Sequence, residues 1–166
     1  MADPSRKWLE QVWAAGAAGK RPDWADLEWY AVDDFGRVGT LTTAGPGPVP
    51  RAVFRDLDSH LMLSALLADL PRRSKPKPEL FLYPGRVVMS WRRAAERGLY
   101  AYDYVYGGKE ADGYRLVARP AVPLSLDVLP EWAREYLAGF RLRGESFPES
   151  AGRVLEVSRV RGGLVS

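Results

Sequence analysis

Tyr100, Tyr102, Tyr104 and Tyr106 occupy every second position of one run. In a strand all four rings therefore project from one face, while Ala101, Asp103 and Val105 point the other way. Phenols gathered in this way suit recognition, or acid-base chemistry in a pocket beside them. What they meet depends on the register of the hairpin that follows. A two-residue Asp112-Gly113 turn places Arg115, Val117 and Arg119 on the tyrosine face and builds an aromatic and guanidinium surface. A loop longer by one residue places Tyr114, Leu116 and Ala118 there and makes a half-buried sheet face.

Charge is segregated along the chain. Asp23, Asp26, Glu28, Asp33 and Asp34 follow one another with no base between Pro22 and Arg37, an arrangement that can steer a basic protein surface toward this one. Asp33-Asp34 beside Gly36 also fits a turn. From Arg72 to Arg97 the balance reverses to a local net of +6. A nucleic-acid reading would place phosphates on these cations and stack bases on Trp91. The whole-chain excess of only +3 and the lack of a nucleic-acid-binding signature favour a solvated loop instead.

Asp56, Asp58 and His60 form D-x-D-x-H. Three ligands converge there only if the segment is extended, because on a helix Asp58 points away from the other two; a capping or surface role fits better. There is no G-x-S-x-G and no H-E-x-x-H. With no cysteine and one histidine, disulfides, thiolate metal sites and any site needing two imidazoles are excluded. No catalytic residue, metal or cofactor is expected. The expected contact residues for a partner protein are Asp33, Asp34, Tyr100, Tyr102, Tyr104, Tyr106 and Arg115. An enzyme using carboxylate or tyrosine acid-base chemistry, or a nucleic-acid module using residues 72–97, is the alternative.

The elements that must position these residues follow from periodicity. At 166 residues and 46% hydrophobic, one globular domain over residues 1–166 is the default. Trp8, Leu9, Val12 and Trp13 recur at helical spacing between Pro4 and Ala18. Residues 29–32 and 37–43 read as a hairpin around Asp33-Asp34-Phe35-Gly36. The prolines of residues 44–50 make a rigid connector. Residues 51–70 read as one long helix or a helix followed by another element. Short strands are expected at 80–83 and 86–91, and longer ones at 99–106, 114–119 and 153–160. A helix is expected from Asp127 or Pro130 to Phe140. The fold class is thus α+β, a mostly antiparallel sheet with N-terminal, central and C-terminal helices packed on it. No apolar leader or membrane span is visible, so a cytoplasmic setting is expected.

The run from Trp29 to Pro50, WYAVDDFGRVGTLTTAGPGPVP, resembles the opening of a family of small uncharacterised bacterial proteins. Its signature runs tryptophan, alanine, aspartate, glycine, then threonine, glycine, proline, and the family is associated with immunity proteins encoded beside polymorphic toxins. A tyrosine-rich strand and a proline-flanked strand extend the similarity. The resemblance implies a cytoplasmic, non-catalytic protein that binds and neutralises a partner, and it assigns no site residue.

Overall fold

The computed structural model describes residues 4–78, 89–109, 111–160 and 162–165. The first helix, α1 (Pro4–Ala17), buries Val12 and Trp13 and leaves its charged face to solvent. The hairpin forms as expected from β1 (Glu28–Val32) and β2 (Val38–Thr42), with Glu28 opposite Thr42 and Val32 opposite Val38. The proline connector turns over residues 44–46 and ends in a two-residue strand, β3 (Val49–Pro50).

Residues 51–70 divide. A 3-10 turn at Arg51–Arg55 stops at Asp56, whose carboxylate accepts from the Ser59 backbone N–H and caps α2 (Leu57–Asp69). That capping role answers the D-x-D-x-H pattern. Asp58 is exposed and pairs with Arg6 at 2.7 Å, whereas His60 is buried against the Trp13 and Tyr30 rings. Among the described residues no group of three or more His, Cys, Asp or Glu could hold a metal ion.

After a short strand, β4 (Lys77–Pro78), residues 79–88 lie outside the described ones, and with them the strand expected at 80–83 and the first half of that at 86–91. The remainder of the second is a correction. Met89–Trp91 open the helix α3 (Met89–Glu96), because Trp91 and Ala95 recur four apart and both bury against the sheet. Next come β5 (Tyr100–Val105), β6 (Gly113–Arg119) and α4 (Glu131–Ala138).

The expected strand at 153–160 is also corrected. Leu155 makes one bridge to Tyr114, and the chain then winds into a 3-10 turn at Val157–Arg159. The next donor a ladder with β6 would need, the Val157 N–H, turns back onto the Leu155 carbonyl at 3.0 Å, and the Glu156 N–H on the other side is taken by Glu145 Oε1. The tail ends in β7 (Leu164–Val165), antiparallel to β3.

The main sheet has the order β1-β2-β5-β6-β4, antiparallel except for β2 beside β5. The structure is therefore α+β with a mostly antiparallel sheet, as expected. One sheet face carries Trp29, Leu41, Tyr100, Tyr102, Tyr114 and Leu116, and it is covered by α1, the 3-10 turn after β3 and the C-terminal segment around Phe147. On the other, Tyr30, Val32 and Val38 meet Leu63 and Leu67 of α2 and Ala133 and Leu137 of α4. Among the described residues no helix is long and apolar enough to cross a membrane.

Burial of His60 has a pH consequence. Desolvation lowers its pKa from 6.5 to about 4, so the folded protein resists a proton that the unfolded chain accepts. Stability is then full above pH 6.5 and falls as the pH drops toward 4, by about 3 kcal/mol across that window. Urea unfolding midpoints measured between pH 4 and 7 should show this slope. His60→Gln should flatten it, and an unchanged slope in that variant would assign the effect to other groups.

Candidate interaction surface

The register of the β5–β6 hairpin settles which side of the tyrosine strand is which. Tyr102 lies opposite Leu116 and Tyr104 opposite Tyr114, with an irregularity between Ala101 and Tyr102. The tyrosine face is therefore the core-facing one. Tyr100 and Tyr102 are buried, and the Tyr102 hydroxyl lies 2.7 Å from Ser150 Oγ. Arg115 projects to the opposite face, cross-strand from Asp103, and is buried. Tyr104 is half-buried and Tyr106 is 54% exposed, their rings stacked at 6.2 Å. Of the strand's four rings, only these two reach a molecule approaching the surface.

The acidic run is dispersed by its own secondary structure. Asp33 is fully buried: its Oδ1 accepts from the Phe35 and Arg37 N–H groups at 3.0 and 2.9 Å, and its Oδ2 from Phe147 N–H and Arg37 Nη1 at 3.0 and 3.2 Å. Asp34 is exposed but accepts from Gly144 N–H at 2.6 Å. Arg141 adds bonds to both carbonyls of this pair. The two aspartates thus join the β1–β2 turn to the segment after α4. Alternation along β1 sends Glu28 to the helix-covered face, where its carboxylate accepts from the Thr40 hydroxyl. Asp23 and Asp26 remain exposed, on either side of Trp24.

Trp24 is 67% exposed and its ring lies 6.2 Å from that of Trp8. The sequence signal for it was available: a tryptophan outside every periodic segment, between two acids. Its position is set by Arg21, which is only 4% exposed and, among the described residues, forms no ion pair within 4 Å. Arg21 Nη1 donates to the carbonyls of Ala25 at 2.9 Å, Gly45 at 2.8 Å and Pro22 at 3.3 Å, and Nη2 to that of Gly47 at 2.7 Å. Burial pulls this guanidinium below its ordinary range, while Tyr114, Asp23 and Asp26 act the other way.

One cation therefore clamps the Trp24 segment to the turn that follows β2. Gly45 adopts φ +93°, and a Cβ there would meet the Asp23 carbonyl at 2.7 Å. A Cβ on Gly47 would meet the Tyr104 ring at 2.8 Å. The Tyr114 hydroxyl, taking the Trp29 indole N–H, donates in turn to the Pro48 carbonyl at 2.9 Å. The result is a surface running from Trp8 and Trp24, over half-exposed Pro46 and Pro48, to Tyr104 and Tyr106.

No family model, curated protein or solved structure matches the chain. Among the described basic residues of 72–97, Arg72 and Arg92 both pair with the buried Glu96 carboxylate at 3.2 Å. A pocket beside the tyrosine face, which the enzymatic alternative requires, is filled there by Phe147, Leu155 and Val157. Among the described residues, a cleft opens on the opposite face, among β1, α2 and α3.

Proposed function

We propose that this chain is a non-catalytic binding protein that occludes another protein. The observation that carries this reading is the exposed aromatic surface from Trp8 to Tyr106, fixed in place by the buried Arg21. Rigid Trp and Tyr side chains supply contact area at low entropic cost and dominate interface energetics. Asp23 and Asp26 beside Trp24 give the surface an acidic rim, which favours a basic partner and faster encounter with it. The resemblance of residues 29–50 to immunity proteins makes a toxin domain the partner class and the cytoplasm the setting.

The test is affinity capture from the source cell, paired with inhibition of the captured protein's activity. Native protein should retain one stoichiometric partner, and Trp24→Ser should weaken that complex by about 2 kcal/mol or more, near 30-fold. Tyr106→Ser should act in the same direction. Both residues are exposed, so the variants should keep the native melting temperature. Failure to capture a partner, or capture indifferent to both substitutions, would refute the reading.

A further inference from the structure

The cleft among β1, α2 and α3 encloses 320 Å³ and belongs to no part of the aromatic surface. Its walls combine three kinds of group. Arg93 and Arg97 stand four residues apart at the end of α3. Hydroxyls come from Ser64 and Ser90, and Leu67 and Leu99 supply apolar area. Glu28 closes the β1 side, occupied by its bond from Thr40.

The two arginines differ from their neighbours. Arg72 and Arg92 share the Glu96 carboxylate, whereas among the described residues no carboxylate lies within 4 Å of Arg93 or Arg97. Arg97 Nη1 donates only to the Arg93 carbonyl at 3.1 Å, and its Nε is buried without an acceptor. Tyr30 donates to Ser64 Oγ at 3.0 Å, leaving the Ser64 hydroxyl proton to turn into the cleft. With two guanidinium groups against one carboxylate, the lining has a net positive charge. A pocket of this size with a few convergent polar groups on apolar walls suits a compact ligand. Guanidinium pairs recognise carboxylates through planar, two-point bonds.

We propose that this cleft binds a small organic carboxylate, its anionic head on Arg93 and Arg97 and its apolar body on Leu67 and Leu99. The site is independent of the protein-binding reading, since Trp24 and Tyr106 do not line it. The experiment titrates the full chain with 4-methylpentanoate, with the neutral 4-methylpentanamide and with inorganic phosphate, following amide chemical shifts and melting temperature. The acid should give saturable shifts at residues 64, 67 and 93–99 and a rise in melting temperature; the amide should bind at least about tenfold more weakly. Arg93→Gln, at an exposed position, should weaken the acid by a similar factor while leaving the ligand-free melting temperature unchanged. Arg97→Lys should also weaken it, because the charge remains but the planar fork is lost. No saturable shift with the acid at millimolar concentration would overturn the proposal. So would equal binding of acid and amide, tighter binding of phosphate than of the acid, or an acid affinity untouched by either substitution.

Discussion

Arg21→Met is expected to lower the unfolding free energy by about 3 kcal/mol and to release the turn at residues 44–48. Methionine fills the volume but offers no donor, so the carbonyls of Ala25, Gly45 and Gly47, each within 2.9 Å of the native guanidinium, are left in a buried setting without it. Leaving such acceptors unmade costs more than the bonds contribute when formed, because water no longer solvates them. Arg21→Lys should recover only part of the loss: a single ammonium nitrogen cannot span the Gly45 and Gly47 carbonyls that Nη1 and Nη2 now divide. Urea unfolding gives the free energy. Hydrogen exchange at Gly47, whose N–H bonds the Thr43 carbonyl at 2.8 Å, reports on the turn itself. Unchanged exchange there would show that the turn holds its shape without the clamp. If the turn does loosen, partner affinity should fall even though no contact residue has been altered, since the aromatic surface must then be ordered on binding.

Asp33→Ala should be costlier, about 4 kcal/mol. The carboxylate collects three backbone N–H groups and the Arg37 guanidinium in a site with no solvent exposure. Deleting it orphans buried donors in two segments at once, the β1–β2 turn and the start of the Phe147 turn. Asp33→Asn keeps the shape but turns one acceptor into a donor, which opposes either the Phe147 N–H or the pair of turn N–H groups. The asparagine variant should thus lie between wild type and alanine. Arg37→Met in the Asp33→Ala background gives a double-mutant cycle that isolates the pairwise term. A loss below about 1 kcal/mol for Asp33→Ala would show that water replaces the carboxylate.

Local periodicity made α1, the β1–β2 hairpin and the β5–β6 pair legible, because each is specified by residues close in sequence. Long-range partners were not. The β5–β6 register is set by Tyr114, whose hydroxyl sits between the Trp29 indole and the Pro48 carbonyl, and neither contact has a local signature. Residues 153–160 alternate like a strand, yet the Val157 N–H turns back onto the Leu155 carbonyl instead of reaching β6. The five-acid run reads as one patch in sequence, whereas strand alternation and a turn distribute it over three environments. Arg21 was invisible for a different reason: its acceptors are backbone carbonyls, which no residue type reveals. What separates buried Tyr100 and Tyr102 from half-buried Tyr104 and exposed Tyr106 is the C-terminal segment, which covers one end of the strand and has no signature within it.

The parallel pairing of β2 with β5 bears on how the chain reaches this state. Strand β1 finds β2 at once through a short turn, but the inner edge of β2 has to wait until α2, α3 and everything between them has been made. During synthesis from the ribosome, that edge is an unpaired template for another chain. Closing so long a crossover spends chain entropy before contacts reward it, so collapse around Leu41 and Tyr102 is a late and slow event. The centre of the finished sheet is thus joined only after the β1–β2 hairpin beside it has had time to form.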